Sequence, residues 1–219
     1  MVVVVIKWRG ESGLRDFAVF VLVAVVARFP YLGLPWPVPL VLPILVYGGM
    51  RRWRGASRVV ASVDCARDAA TLSTTLRYAL IGSACAAAGL LGWYQLAAPD
   101  LTTFARLIPA WPVPAIILAG VAFYCLNAIT EELAFRNIVY GQLTVAGLSI
   151  AYVIAAQALA FGFLHWHGVP GGVPGIVLSA TYGLVQGVIR HKSRGLLASW
   201  LSHVVADLII FAFVLRSVA

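Results

Sequence analysis

Charged residues are scarce in this sequence of 219 residues, making up 11% of the chain against 62% hydrophobic residues. Ordinary soluble domains carry roughly 25% charged residues. So few charges cannot cover a globule of this size, which excludes a soluble enzyme, a disordered chain and a nucleic-acid-binding domain. The three cysteines form no CxxC pair, so neither a zinc ribbon nor a disulfide framework is indicated. A polytopic membrane protein remains, with the lipid bilayer around its outer surface.

Seven apolar segments can be drawn along the chain. They cover residues 17–30, 37–50, 79–97, 112–143, 148–165, 174–190 and 196–215. The first two are short and separated by a Pro-rich stretch, so a tilted hairpin fits them as well as two full spans. The sequence therefore predicts an all-α, polytopic membrane helical bundle of six to eight transmembrane helices.

The basic residues predict how this bundle is oriented. With the N-terminus in the cytoplasm, thirteen of the sixteen Lys and Arg residues fall on the cytoplasmic side, and only Arg28, Arg106 and Arg216 fall outside. The positive-inside rule requires such a bias. We therefore expect a multi-pass protein of the inner cell membrane with a cytoplasmic N-terminus.

A few ionisable residues lie inside the apolar segments of the second half of the sequence. They are Glu131, Glu132, Arg136, His165, His203 and Asp207. Charged and titratable groups are expensive inside a membrane, so each is a candidate functional residue by default. The chain shows no two related halves of the kind that transporters usually contain.

Helical spacing predicts how these side chains are arranged. Glu132 and Arg136 are four residues apart and can form an ion pair on one helix face. Glu131 is rotated by about 100° from Glu132 and is expected to face the histidines. If the fourth and fifth segments form a hairpin turning near residues 147–149, Glu131 and His165 lie equally far from the turn. We expect them side by side, and we expect the site in the cytoplasmic half of the bilayer.

Three short motifs on these segments read EExxxR, FxxxH and HxxxD. Their first and last residues are Glu131 and Arg136, Phe161 and His165, and His203 and Asp207. In this order they resemble the signatures of the CPBP intramembrane proteases, also called the Abi or CAAX-protease family, which includes the eukaryotic Ras-converting endopeptidase. The resemblance divides the chain into residues 1–110, with N-terminal membrane helices and a basic cytoplasmic loop, and residues 111–219, a CPBP/Abi-like catalytic membrane domain.

The resemblance implies hydrolysis of peptide bonds within the membrane. Glu131 would be the general base and, with His165, would hold the attacking water. His203 and Asp207 would stabilise the oxyanion, while Glu132 and Arg136 would shape the surroundings of the base. The family often has Asn at the last position, and a carboxylate cannot donate to an oxyanion unless it is protonated. We therefore expect Asp207 to orient a protonated His203.

Several alternatives stay open at this point. Two histidines and a carboxylate are also a zinc-binding set, so a zinc-dependent metalloprotease is a rival to a cofactor-free glutamic protease. A non-proteolytic transporter or bacteriocin-immunity protein could use the same carboxylates. The expected partner is a membrane-anchored protein or peptide. Its processing could be of the CAAX type, or could remove C-terminal tails or sorting signals.

Overall fold

The computed structural model describes residues 11–28, 32–53 and 70–218, and every regular element in this part of the chain is helical. The helices are α1 (Glu11–Ala27), α2 (Val38–Trp53), α3 (Leu72–Ala97), α4 (Thr102–Ala105), α5 (Val113–Val145), α6 (Ile150–Leu164), α7 (Gly172–Ser193) and α8 (Leu197–Arg216). A short 3₁₀ turn, His165–His167, continues α6. The predicted all-α fold is confirmed.

Five of these helices are long and apolar enough to cross a membrane: α3, α5, α6 with its 3₁₀ turn, α7 and α8. A span needs about 20 apolar residues, whereas α1 has 17 residues and α2 has 16. These two pack on one another through Phe20 and Tyr47, whose rings meet edge to face. The multi-pass membrane bundle thus has five candidate spans among the described residues, with α1 and α2 as a shorter hairpin beside them.

Helix α5 is the longest element, with 33 residues. It contains a π-helical stretch, Leu133–Val139, which begins directly after Glu131 and Glu132. Such π segments occur mostly as single turns inside α-helices and often lie at functional sites. The sequence predicted one continuous helix and gave no sign of this change in winding.

Small residues bring α6 and α7 close together. A Cβ atom added to Gly162 would lie 2.8 Å from both the Ala180 Cβ and the Ile176 carbonyl oxygen. One added to Gly183 would lie 3.0 Å from the Ala158 Cα. Membrane helices associate through such close packing because lipid offers no hydrophobic drive between them. The contact fixes the end of α6, which carries His165.

The bundle has two ends, and one of them is rich in basic residues. We call it the basic end; it holds Arg51 on α2, the turn 146–149 between α5 and α6, and the turn 194–196 between α7 and α8. Hydrogen bonds between side chains connect these parts of the bundle. Gln142 donates to the Tyr47 hydroxyl at 2.6 Å, and Tyr140 and His191 share a hydrogen bond of 3.1 Å.

The other end, which we call the cavity end, holds Arg28, the connection 98–112 and the turn 168–171. Arg28 donates to the Leu164 carbonyl oxygen at 2.7 Å and so joins the end of α1 to the end of α6. In the connection, the Thr102 backbone N–H donates to Asp100 at the start of α4 and lowers the pKa of that carboxyl.

Candidate active site

Glu131 lies between two imidazoles that come from different helices. Its Oε2 is 3.5 Å from His203 Nε2 on α8 and 4.0 Å from His165 Nε2 at the end of α6. All three side chains are largely withdrawn from solvent. The predicted juxtaposition of Glu131 and His165 is confirmed, and so is the expectation that Glu131 faces the histidines.

The orientation of His165 follows from a backbone contact. Its Nδ1 is 2.9 Å from the Phe161 carbonyl oxygen, one turn earlier on α6. A carbonyl oxygen can only accept, so Nδ1 carries the proton and donates. In the neutral ring Nε2 is therefore an acceptor, and it is the atom that faces Glu131.

Glu132 makes two contacts through the same oxygen. Its Oε1 is 3.2 Å from Arg136 Nη1 and 2.8 Å from His203 Nδ1, and both Glu132 and Arg136 are fully buried. The Arg136 guanidinium also lies 4.3 Å from the centre of the Phe161 ring. The predicted Glu132–Arg136 pair is confirmed, and Glu132 additionally holds the imidazole of His203.

Asp207 and Glu132 approach opposite nitrogens of the His203 ring. Asp207 Oδ1 is 3.7 Å from Nε2, an ion-pair distance. Glu132 contacts Nδ1 at 2.8 Å, a contact from α5 that sequence spacing along α8 could not reveal. That Asp207 orients His203 stays a prediction.

Asn127 is a site residue that the sequence analysis did not select. Its Nδ2 donates to Glu131 Oε1 at 3.3 Å and to Asp207 Oδ2 at 3.0 Å, while its Oδ1 accepts from the Trp36 indole N–H. It thus joins two carboxylates on different helices. The sequence did offer one sign of this role: Asn127 lies four residues before Glu131, and residues four apart share a helix face.

A cavity of about 740 Å³ lies above these groups. Asn127, Glu131, His165 and Asp207 form its polar floor. Its walls are mainly apolar and aromatic, and they include Trp36, Phe104, Leu107, Trp111, Phe123 and Phe211. A smaller cavity of about 120 Å³ reaches His165, His203 and Asp207 from the side of α3 and α7. Polar groups at the bottom of an apolar cleft are the usual form of a ligand or substrate site.

Comparison with protein families agrees with this geometry. A family model described as type II CAAX prenyl endopeptidase Rce1-like matches residues 109–209. Those residues are similar to the Rce1-like family. The match contains Glu131, His165, His203 and the other candidate site residues, and it confirms the resemblance seen in the three motifs. No curated protein and no solved structure matches the chain significantly.

The Rce1-like segment supplies the carboxylates and imidazoles, but earlier residues complete the site. Arg28 and Trp36 lie outside the match and line the larger cavity. Cys85 and Gly89 of α3 line the smaller one. The functional division of the chain at residue 110 stays a prediction, and both parts contribute walls to the cavities.

The depth of the site in the bilayer stays a prediction. His165 follows the 15 residues of α6 and so lies about 22 Å from the 146–149 turn. His203 is the seventh residue of α8 and so lies about 9 Å from the start of that helix, beside the 194–196 turn. The first half of α5 extends along the cavity end and lines the cavity.

No group of three or more His, Cys, Asp or Glu side chains is arranged to hold a metal ion within residues 11–28, 32–53 and 70–218. Glu131 Oε2 approaches His203 and His165 at 3.5 and 4.0 Å, which are ion-pair distances.

Proposed function

We propose that the chain is an intramembrane endopeptidase in which Glu131 activates a water molecule. The observation that carries this proposal is the buried Glu131 carboxylate between His165 and His203, on the floor of an apolar cavity. The match of residues 109–209 to a family model of prenyl endopeptidases supports peptide-bond hydrolysis. Ionisable residues inside a membrane are costly and are functional-site candidates by default.

The donor and acceptor pattern defines how the water would sit. Glu131 Oε2 and His165 Nε2 are 4.0 Å apart, so one water can donate a hydrogen bond to each. Both groups then act as acceptors, which leaves a lone pair of the water oxygen free. That lone pair would then be available to attack a substrate carbonyl carbon in the cavity, which both residues line.

The chemical steps follow from these positions. Glu131 takes one proton from the water as the oxygen attacks the carbonyl carbon, and the carbonyl π electrons move onto its oxygen. His203 donates Nδ1–H to Glu132, and when it also carries a proton on Nε2 it can donate to that oxyanion. On collapse, Glu131 returns its proton to the leaving nitrogen as the C–N bond breaks. Asn127 keeps the Glu131 and Asp207 carboxylates in place.

The proposed substrate is a membrane-anchored protein or peptide. The apolar walls of the cavity suit an apolar side chain, a lipid group or the end of a membrane helix. Both substrate types that we consider, a prenylated CAAX-type tail and a C-terminal membrane tail or sorting signal, share this property.

Glu131→Gln tests the proposal. The amide is nearly isosteric but cannot take the proton, so we expect cleavage to fall about 10²–10⁴-fold, the usual contribution of a general base. The readout is peptide termini of membrane proteins in host cells producing the wild type or the variant at equal membrane levels. Thr130→Ala, one residue earlier on α5, is the matched control and should cleave normally. Near-wild-type termini with Glu131→Gln would remove Glu131 as the base.

A zinc-dependent protease is the second candidate, because Glu131, His165 and His203 converge and are all zinc-ligand types. Treatment of the purified protein with a strong chelator separates the two mechanisms. Activity that is lost and then restored by zinc would establish the metal mechanism. Activity that survives metal removal supports the glutamate mechanism. If the wild type changes no peptide terminus, the transporter or immunity function is favoured instead.

A further inference from the structure

We infer that the active-site cavity opens on the extracytoplasmic side of the membrane, so that the substrate is a membrane-anchored protein whose scissile bond lies at that side. The substrate part of this inference rests on the proposed protease function. The sidedness does not, because it follows from where the basic residues and the cavity lie in the bundle.

Basic residues gather at the end of the bundle that is opposite the cavity. Arg51 and Arg52 end α2, and Arg190, Lys192 and Arg194 end α7. Outside the described residues, the connecting sequence between α2 and α3 carries three more arginines. An excess of Lys and Arg in short loops marks the cytoplasmic face, so the basic end is the cytoplasmic end.

The walls of the larger cavity come from the other end. Leu107 and Trp111 of the connection before α5 line it, as do His167 and Gly168 after α6 and Val214 near the end of α8. None of its lining residues lies in the turns at the basic end. Leu107 and Trp111 are 76% and 54% exposed, so the mouth of the cavity is at this surface.

The route from the basic end to Glu131 is filled with packed side chains. Glu132 and Arg136 lie directly beneath Glu131 along α5, and both have no exposed surface. Phe161 covers the Arg136 guanidinium and is itself 1% exposed. Below them, Arg190 donates to the Arg136 carbonyl oxygen at 3.1 Å. A peptide therefore cannot reach Glu131 from the basic end without unpacking these residues.

Aromatic residues place the mouth of the cavity at a membrane interface. Trp111 on one rim and Trp166 beside the other are about half exposed. Tryptophan is enriched where the membrane meets water because its ring is apolar and its N–H is polar. A substrate bond entering between these rims lies close to the outer headgroups, and the neighbouring apolar part of the substrate can stay in the bilayer.

Cysteine labelling in intact cells tests the sidedness without any substrate. The background replaces Cys65, Cys85 and Cys125 by Ser or Ala. Leu107→Cys and His167→Cys report the cavity mouth. Ser149→Cys reports the basic end, and it is a matched control because Ser149 is exposed, nearly isosteric with Cys and makes no side-chain capping bond.

A membrane-impermeant maleimide is added to intact cells with a permeable outer barrier, and again after the inner membrane is opened. We expect the two mouth variants to be labelled equally in both conditions and Ser149→Cys only after opening. Labelling of Ser149→Cys in intact cells, with the mouth variants protected, would overturn the inference. Labelling of all three variants only after opening would also overturn it.

Mapping the cut bonds tests the substrate class separately. New termini that need Glu131 should fall on extracytoplasmic segments next to a membrane anchor. Glu131-dependent termini on cytoplasmic segments would overturn the substrate part while leaving the protease function intact. Complete absence of such termini, together with outward labelling, would count against the protease function and not against the sidedness.

Discussion

Asn127→Leu removes the amide that holds the two carboxylates of the cavity floor, and it keeps the side chain at a similar volume. The change deletes the hydrogen bonds of 3.3 Å to Glu131 and 3.0 Å to Asp207. It also leaves the Trp36 N–H without its acceptor. The variant therefore tests whether Asn127 acts as a positioning residue.

The size of the effect follows from these bonds. A hydrogen bond to a charged group contributes about 1.5–3 kcal/mol. The 3.3 Å bond is long, and the cavity allows water to replace part of what is lost, so we take the lower value for each bond. We expect about 3 kcal/mol of lost stability for the two bonds, which lowers Tm by about 6–12 °C for a chain of this size. If half of that energy holds Glu131 in its reactive position, kcat falls about 10-fold.

The assay compares purified proteins in one detergent. Thermal unfolding gives Tm, and cleavage of a substrate found by terminus mapping gives kcat and KM. We expect kcat to fall more than KM changes, because Asn127 holds the base and not the substrate. Thr130→Ala is the control, since the Thr130 hydroxyl donates to the Leu126 carbonyl oxygen of its own helix. Equal Tm and equal kcat for Asn127→Leu and Thr130→Ala would refute the reasoning.

Three further predictions concern packing and charge around this site. Glu132→Gln should lower stability by about 3–5 kcal/mol because it breaks a fully buried ion pair. Cleavage should fall as well, since Glu132 holds His203. An unchanged Tm in thermal unfolding would contradict this prediction. Phe161→Leu should cost about 2 kcal/mol from the lost ring contact with Arg136, read as a lower Tm with the protein still folded. Gly162→Ala should destabilise by about 1–3 kcal/mol through overpacking, whereas Gly141→Ala, where the added Cβ meets nothing within 4 Å, should leave Tm unchanged or raise it.

The sequence predicted well what depends on positions along one helix. Glu132 and Arg136 form a pair because a four-residue separation places them on one face. Glu131 and His165 meet because their distances from the 146–149 turn are equal and the turn makes the two helices antiparallel. Spacing and hairpin geometry are properties of the chain itself, so residues alone were enough.

Contacts between side chains on different helices depend on how each helix is rotated about its axis, and they could not be predicted from spacing along the chain. The contact of Glu132 with His203 joins α5 to α8, and its geometry depends on how far each helix is turned about its axis. Asn127 meets Asp207 across the same interface. The end at which the cavity opens depends on how far α5 extends past α6. Counting residues from one turn predicts that Glu131 and His165 lie at the same depth, but it does not predict which half of the bilayer holds them.

The two adjacent glutamates make sense as a pair once His203 is included. Glu131 and Glu132 point about 100° apart, and they approach opposite nitrogens of the same imidazole. Glu132 Oε1 holds Nδ1 at 2.8 Å, and Glu131 Oε2 lies 3.5 Å from Nε2. Arg136 neutralises Glu132 from the closed side of the site, whereas Glu131 has the cavity above it. Two adjacent glutamates thus have different surroundings. Glu132 is fixed in an ion pair and orients the imidazole ring, whereas Glu131 lies on the floor of the cavity, where we propose that it accepts a proton.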